Sequence, residues 1–358
     1  MNIEVFTGAV AGGWNPNDVD NFLSANEETV VLWSEALVRA GYPVTVYASL
    51  RGVVACERNG VKYKQRETFD PLQERECLIT YKDRRPWSMG ADLCSKLRIH
   101  WSMDVEPRWP DASLGRIHYF GTLGPMHEST MPWLPLTAIR RLPLGIDLKP
   151  MLKIIEAEKK PREEIALYTT SPDRGLATLL SDWPLIAKAH PGLRLLITYD
   201  FNRLINMGGP QGGQVAQQLA NHAQAVGAQI TGALPKEQFF ALLARAKYYI
   251  HPINRRESDL FGYGAFRAEQ AGLVPVLNYF DGYSFADTLS GYVPYRDFLD
   301  NSLNIMLPNK PPVQVLSWDK TVKRDWLPLL KGPDDSTAQY MQKHEFADTL
   351  CGHAEVAA

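Results

Sequence analysis

The residues best suited to chemistry lie in one run, Tyr168-Thr169-Thr170-Ser171-Pro172-Asp173-Arg174-Gly175-Leu176. The pattern predicts a strand that delivers the chain to a turn, and a helix that starts near Gly175. Backbone N–H groups at a helix N-terminus attract anions. Arg174 at that corner can offer a diphosphate two parallel hydrogen bonds. Gly175, having no Cβ, lets the backbone approach closely. The same spacing also fits a capped turn with a solvent-facing arginine, so spacing alone leaves both readings open.

Other constellations are weaker. Asp18-Val19-Asp20 matches a metal-binding DxD triplet, a pattern short enough to arise by chance. Residues 208–213 (GGPQGG) read as a mobile loop; they lack GxGxxG spacing and are no dinucleotide fingerprint. No nucleophile elbow, P-loop or HExxH is present. His190 and His251 each precede proline and mark element ends. Trp87, Trp101, Trp109 and Trp133 cluster in the first half, where they read as core or as a stacking platform for a sugar. The pairs Arg84-Arg85, Arg140-Arg141 and Arg255-Arg256 read as solvated surface.

The elements that must position these residues alternate between strand and helix. Residues 2–6 predict a strand, and 27–40 a helix with Val30, Val31, Trp33, Ala36, Leu37 and Ala40 at helical spacing. Gly41 stops that helix, and 44–48 return as a strand. Residues 77–80, 97–101 and 116–120 predict further strands, and 141–146 close the half. A charged stretch, 149–162, reads as a linker. The pattern then restarts with strands at 165–169, 193–198, 229–231, 248–251 and 274–277. Helices are predicted at 175–189, 214–226, 236–246 and 263–271. Two such α/β halves imply parallel sheets covered on both faces, with ligands beyond the carboxyl ends of the strands.

The 358 residues suit two domains. A net charge of -2 supplies no overall basic field for nucleic acid or anionic lipid. None of Cys56, Cys77, Cys94 and Cys351 is spaced as CxxC, so no zinc or redox motif is indicated; the first three sit among apolar neighbours and read as core. No signal peptide and no apolar run of about 18 residues is read. These features set a cytoplasmic expectation, with a peripheral membrane position left open and a host cytoplasm for a phage-encoded chain.

The stretch TSPDRGLATLLSDWPLIAKAHPGLRLLITYD resembles the opening of the nucleotide-sugar domain of the family-four glycosyltransferases. The similarity continues through ITGALPKEQFFALLARAKYYIHPI and ESDLFGYGAFRAEQAGLVPVL. In the first half, EETVVLWSEALVRAGYPVTVYA resembles the helix and strand after the family's N-terminal glycine loop, KLRIHWSMDVEP and RRLPLGIDL resemble later landmarks of that domain, and VLSWDKTVKRDWLPLL resembles the closing helix. The resemblance implies the GT-B fold: two Rossmann-like domains facing each other across a cleft, with a C-terminal helix crossing back to the first. It sets an acceptor domain at 1–148, a nucleotide-sugar domain at 149–316, the returning helix at 317–331 and a tail at 332–358.

Carried over by residue, the resemblance has Arg174 hold the donor diphosphate, with Ser171 and Gly175 shaping its loop. The family's first glutamate, on the transferred sugar, falls on Glu257 or Asp259. Its second, on the ribose, falls on Arg267, counting back from Gly272. Glu269 lies two residues on, roughly 200° around a helix. The family's Gly-Gly loop corresponds to Ser24-Ala25, with Gly12-Gly13 an earlier alternative. The family's His-Asp pair becomes Met103-Asp104. His100 and His127 are further acceptor-side candidates, and His100 falls on the opposite face of its strand.

The resemblance thus implies a metal-independent, retaining hexosyl- or pentosyltransferase with no cofactor beyond a nucleotide-sugar donor, UDP-linked by expectation. Arg174, Glu257, Asp259 and Asp104 are its catalytic candidates. The acceptor is expected to be a glycan, a lipid-linked glycan or another glycoconjugate. Two alternatives stand beside it: transfer to a hydroxymethylated DNA base, as phage enzymes do, and a catalytically degenerate binding or scaffold subunit. A sugar-nucleotide epimerase of the same fold is an outsider.

Overall fold

The computed structural model describes residues 1–10, 12–21, 23–88, 95–253, 260–278, 289–306 and 316–332. They form two units. The first comprises Met1–Val19, Leu23–Ile146 and the described residues from Leu316 onward; the second comprises the described residues of Asp147–Val315 with the short Asp20–Phe22 segment.

The first unit is built on an eight-stranded sheet. Its strands are β1 (Ile3–Thr7), β2 (Val44–Ala48), β3 (Ala55–Arg58), β4 (Val61–Gln65), β5 (Arg75–Tyr81), β6 (Ser95–Trp101), β7 (Tyr119–Thr122) and β8 (Ile139–Arg141), in the order β3-β4-β2-β1-β5-β6-β7-β8. Every pair is parallel except the β3–β4 hairpin. The inner strands β1, β2, β5, β6 and β7 are buried along most of their length, as a parallel sheet covered on both faces requires, while β3 and β8 at the two edges are not. Helix α1 (Ala25–Arg39) places Glu27 and Glu28 in its first turn and Arg39 in its last, complementing the helix dipole. Shorter helices are α2 (Arg85–Ser88), α3 (Asp111–Leu114) and α4 (Pro125–Ser129).

The chain returns to this unit as α11 (Trp318–Thr321), a π-helical turn at Val322–Trp326 and α12 (Leu327–Leu329). Ile146 N–H donates to the Leu316 carbonyl at 3.0 Å. The Trp326 ring lies 4.5 Å from Trp33 of α1 and 4.8 Å from Trp101 of β6, centroid to centroid. Trp33, Trp101 and Trp326 are all fully buried.

The second unit is a six-stranded, all-parallel sheet. Its strands are β9 (Glu163–Tyr168), β10 (Arg194–Ile197), β11 (Gln229–Ile230), β12 (Ala246–His251), β13 (Val274–Leu277) and β14 (Val293–Pro294), in the order β11-β10-β9-β12-β13-β14. Its helices are α5 (Lys149–Ala157), α6 (Leu176–Ala189), α7 (Asn202–Ala225), α8 (Lys236–Arg245), α9 (Tyr263–Gln270) and α10 (Tyr295–Leu299). Leu176, Leu179, Leu180, Trp183 and Ile186 of α6 are buried against Ala166 and Tyr168 of β9 and Ile197 of β10.

Several expectations are corrected. The presumed linker contains the amphipathic helix α5, whose Met151 is fully buried. The presumed GGPQGG loop lies inside α7. Gly209 (φ 53°, ψ −138°) breaks that helix, and Pro210 opens the second segment, where its missing N–H costs nothing. Cys56 sits half-exposed on edge strand β3, whereas Cys77 is buried; Cys94 and Cys351 lie outside the described residues. No described helix is long and apolar enough to cross a membrane.

Candidate functional site

In the second unit the order of strands reverses between β9 and β12, and ligands of open α/β sheets bind at the carboxyl ends of such neighbours. Tyr168 ends β9, and its hydroxyl donates to the Ser171 carbonyl at 2.7 Å, closing the turn. Pro172–Arg174 form one 3-10 turn in which Arg174 N–H donates to Ser171 C=O at 3.0 Å. Gly175 then enters α6 in left-handed conformation, with its Cα against the backbone of Pro252, just past β12. A Cβ on Gly264 would lie 2.8 Å from Tyr249 Oη and 3.6 Å from Thr169 Oγ1, so α9 also starts at this corner. Two helix N-termini and a half-buried Arg174 therefore gather at one switch point. Such a corner can take up negative charge.

Glu257 and Asp259 lie outside the described residues, as does Arg255-Arg256. Arg267 is on α9, its guanidinium 4.5 Å from the Tyr263 ring and 5.8 Å from Phe240, with Nη2 donating to the Tyr263 hydroxyl at 2.8 Å. Glu269 points elsewhere: its Oε1 accepts from the backbone N–H groups of Ser290 (2.7 Å) and Gly291 (3.2 Å). Burial pushes its carboxyl above the usual range, against those two bonds. Glu269 thus ties down the approach to β14.

In the first unit Ser24 precedes α1 with extended backbone, yet its hydroxyl makes no capping bond; Ala25 is exposed. Gly12 and Gly13 both have positive φ. Asp104 lies exposed beyond β6, its carboxylate 2.8 Å from Lys82 Nζ. Its carbonyl accepts from Ser102 Oγ (2.8 Å) and His127 Nε2 (2.9 Å). Met103, beside it, is half-buried.

His100 and His127, expected on the acceptor side, are both fully buried, with both ring nitrogens of each engaged. His127 Nδ1 accepts from Leu123 N–H at 3.1 Å, which fixes the proton on Nε2. His100 Nδ1 meets Thr80 Oγ1 at 2.7 Å and its Nε2 meets Glu106 at 3.2 Å. Thr80 in turn accepts from Trp87 Nε1 at 2.6 Å. Burial works against ionisation of Glu106, but hydrogen bonds from His100, Trp109 and Ser102 outweigh it and hold the carboxyl below its ordinary range. These buried groups fix the loop that carries Asp104. Of the two readings of the tryptophans, Trp87, Trp101 and Trp109 take the core one, and Trp133 is half-buried. Asp18 pairs with Arg51 at 2.7 Å, and no metal-holding group of three His, Cys, Asp or Glu occurs among the described residues.

Sequence reasoning missed Lys82, Glu106 and Pro252. Only Lys82 carries a visible signal, a cation immediately after a strand.

No family model matches the chain, and no curated protein does. Solved structures do match. A trehalose-6-phosphate synthase, OtsA, aligns with TM-score 0.61 at 11% identity over 97% of this chain and 96% of that one. A sucrose-phosphate synthase from Thermosynechococcus elongatus aligns with TM-score 0.54 at 13% identity over 96% and 94%. The E. coli trehalose-6-phosphate structure bound with UDP-2-fluoro glucose gives 0.57 at 10% identity over 97% and 96%. At such identities the likeness is one of fold, and the fold is GT-B.

Proposed function

We propose that the chain is a glycosyltransferase that moves a sugar from a UDP-linked donor to an acceptor hydroxyl with retention. The carrying observation is the corner where Arg174, Gly175 and the α6 N-terminus meet the end of β12. Breaking a glycosyl–phosphate bond builds negative charge on the departing diphosphate. A guanidinium and a helix's positive end at that point stabilise the charge without a metal. Glu257 or Asp259 would orient the sugar, and Asp104 the acceptor. The resemblance supports retention, and the fold shared with nucleotide-sugar enzymes supports the donor class.

A second reading, a binding subunit without turnover, is favoured by one observation: Glu269, the acid nearest the position that the resemblance gives to Arg267, is committed to backbone N–H groups. A thermal-shift panel of nucleotide-sugars, run beside an assay for UDP release, separates the two. A donor that binds the folded chain but not the unfolded one raises Tm by mass action. A Tm rise with UDP release supports the enzyme, a rise alone supports the binding subunit, and no rise with any nucleotide-sugar defeats both.

A further inference from the structure

The first unit's sheet ends on β3 at one edge and β8 at the other, and the second unit's sheet ends on β11 and β14. An edge strand offers N–H and C=O groups to any strand that approaches, so folded chains blunt such edges. On β8, Arg140 Nη1 donates to the Ile139 carbonyl (2.8 Å) and to that of Thr137 (2.7 Å). Strands β11 and β14 have only two residues each, and beside β14 Tyr292 and Met306 exchange backbone bonds of 3.0 and 2.8 Å.

Strand β3 is not blunted. The two-residue turn Asn59-Gly60 joins it to β4, with Arg58 opposite Val61. That turn makes Arg58–Val61 a hydrogen-bonded pair, and the alternation of an antiparallel ladder makes Cys56–Tyr63 the next. The N–H and C=O groups of Ala55 and Glu57 therefore point away from β4, and no hydrogen bond reaches them from the described residues. Ala55 and Glu57 are exposed, and Val54 beside them is 78% exposed. The hairpin is held in place from behind: Arg58 Nε donates to Glu35 of α1 at 2.9 Å, and Gln65 Nε2 to the Val53 carbonyl at 2.8 Å. The open edge is thus already ordered, which lowers the entropy cost of pairing.

Free groups one residue either side of Cys56 make the strand self-complementary. A two-fold axis at Cys56 sets Ala55 against Glu57 of a second copy, and Glu57 against its Ala55, so every outward N–H meets an outward C=O. No like charges stand directly opposite: Glu57 lies between its own Lys62 and the second copy's Ala55. Val54 falls against the aliphatic stem of the second copy's Arg58. A contact of this symmetry closes on itself and gives a dimer rather than a fibre.

We infer that edge strand β3 pairs antiparallel with β3 of a second copy, so that two first-unit sheets join as a homodimer. The inference does not depend on the sugar-transfer reading.

Sedimentation velocity of the full chain from about 1 to about 200 µM tests it. The interface is small, so the dimer should form with Kd on the order of 10 µM. Ala55→Pro removes an outward N–H, breaks no bond to β4 and stands at the first residue of the strand, where proline is tolerated. It should weaken the dimer roughly tenfold or more while Tm stays within a few degrees of the parent. Glu57→Pro, which removes the other outward N–H, should do the same. In a Cys94→Ser, Cys351→Ser background Cys56 reports on the register, because Cys77 is buried. The two-fold puts the paired Cys56 Cα atoms about 4.5 Å apart, within disulfide range. Diamide at mildly alkaline pH should then link the copies: two thiols form one S–S bond, and their two protons and two electrons reduce the diazene to a hydrazine. The linked dimer should be absent in Ala55→Pro. The inference is overturned if the chain stays single at every concentration, as it would with its own tail or another protein on β3. It is equally overturned if both proline variants associate like the parent, or if diamide gives no Cys56-linked dimer.

Discussion

A Cβ built on Gly175 would stand 1.9 Å from the carbonyl oxygen of Pro252, closer than any two such atoms can be. The loops after β9 and β12 are therefore in direct backbone contact, and Gly175 is the only residue type that fits there at φ 106°. Arg174 is carried on one of those loops, and its placement depends on that contact.

Gly175→Ala should accordingly move the Pro252 backbone or misplace the start of α6. Overpacking and a strained φ together predict a loss of about 3 kcal/mol in unfolding free energy. Donor binding should be lost even where the fold survives at low temperature. Denaturant melts and UDP titration check this; wild-type stability in the alanine variant would mean that the loops are free to separate.

Arg162 is a structural counterpart that no sequence pattern flags. Its Nη1 donates to the Leu243 carbonyl (2.9 Å) and the Ala246 carbonyl (2.5 Å), and its Nη2 to the Ala271 carbonyl. These carbonyls end α8 and α9, where helices lack internal partners. Arg162→Ala should cost about 2–4 kcal/mol, and Arg162→Lys should recover part of it. A Tm within a degree or so of the parent would show that water satisfies the three carbonyls equally well.

Acid should destabilise the chain well above the carboxylate range. Burial, with the nearby charge of Arg98, pulls His118 down to about 3, and burial lowers His127 against the pull of Asp104 and other acids. Unfolded histidine titrates near 6.5, so below that pH the unfolded chain binds more protons than the folded one. The stability from these neutral rings is whole above about pH 6.5 and declines as pH falls toward their folded values. The slope is about 1.4 kcal/mol per pH unit for each histidine. Asp83 and Glu106, both held below their ordinary range, extend the decline at lower pH. Urea melts at stepped pH should show this fall, and His118→Gln should flatten it. An unaltered slope in that variant would assign the acid sensitivity elsewhere.

Much of the fold was legible because apolar spacing reports burial directly. The strand at 274–277 matches β13 residue for residue, and the helix and strand from 27 to 48 match α1 and β2 within two residues at each bound. The β3–β4 hairpin was missed although Asn59-Gly60, both at positive φ, is a strong two-residue turn signal. Helix α5 was missed because its lysines masked an apolar stripe. Of the site, the Arg174–Gly175 turn was visible because strand, turn and helix adjoin in sequence. Pro252 and Arg162 were invisible for the opposite reason: their partners lie far along the chain.

The most direct measurement is a crystal structure of the chain with UDP, paired with a thermal shift of Arg174→Ala. The account predicts the diphosphate at the N-terminus of α6, within hydrogen-bond reach of Arg174, and a UDP-induced Tm rise that disappears in the variant while the fold persists. A diphosphate bound away from residues 171–175, or an undiminished Tm rise in Arg174→Ala, would contradict it.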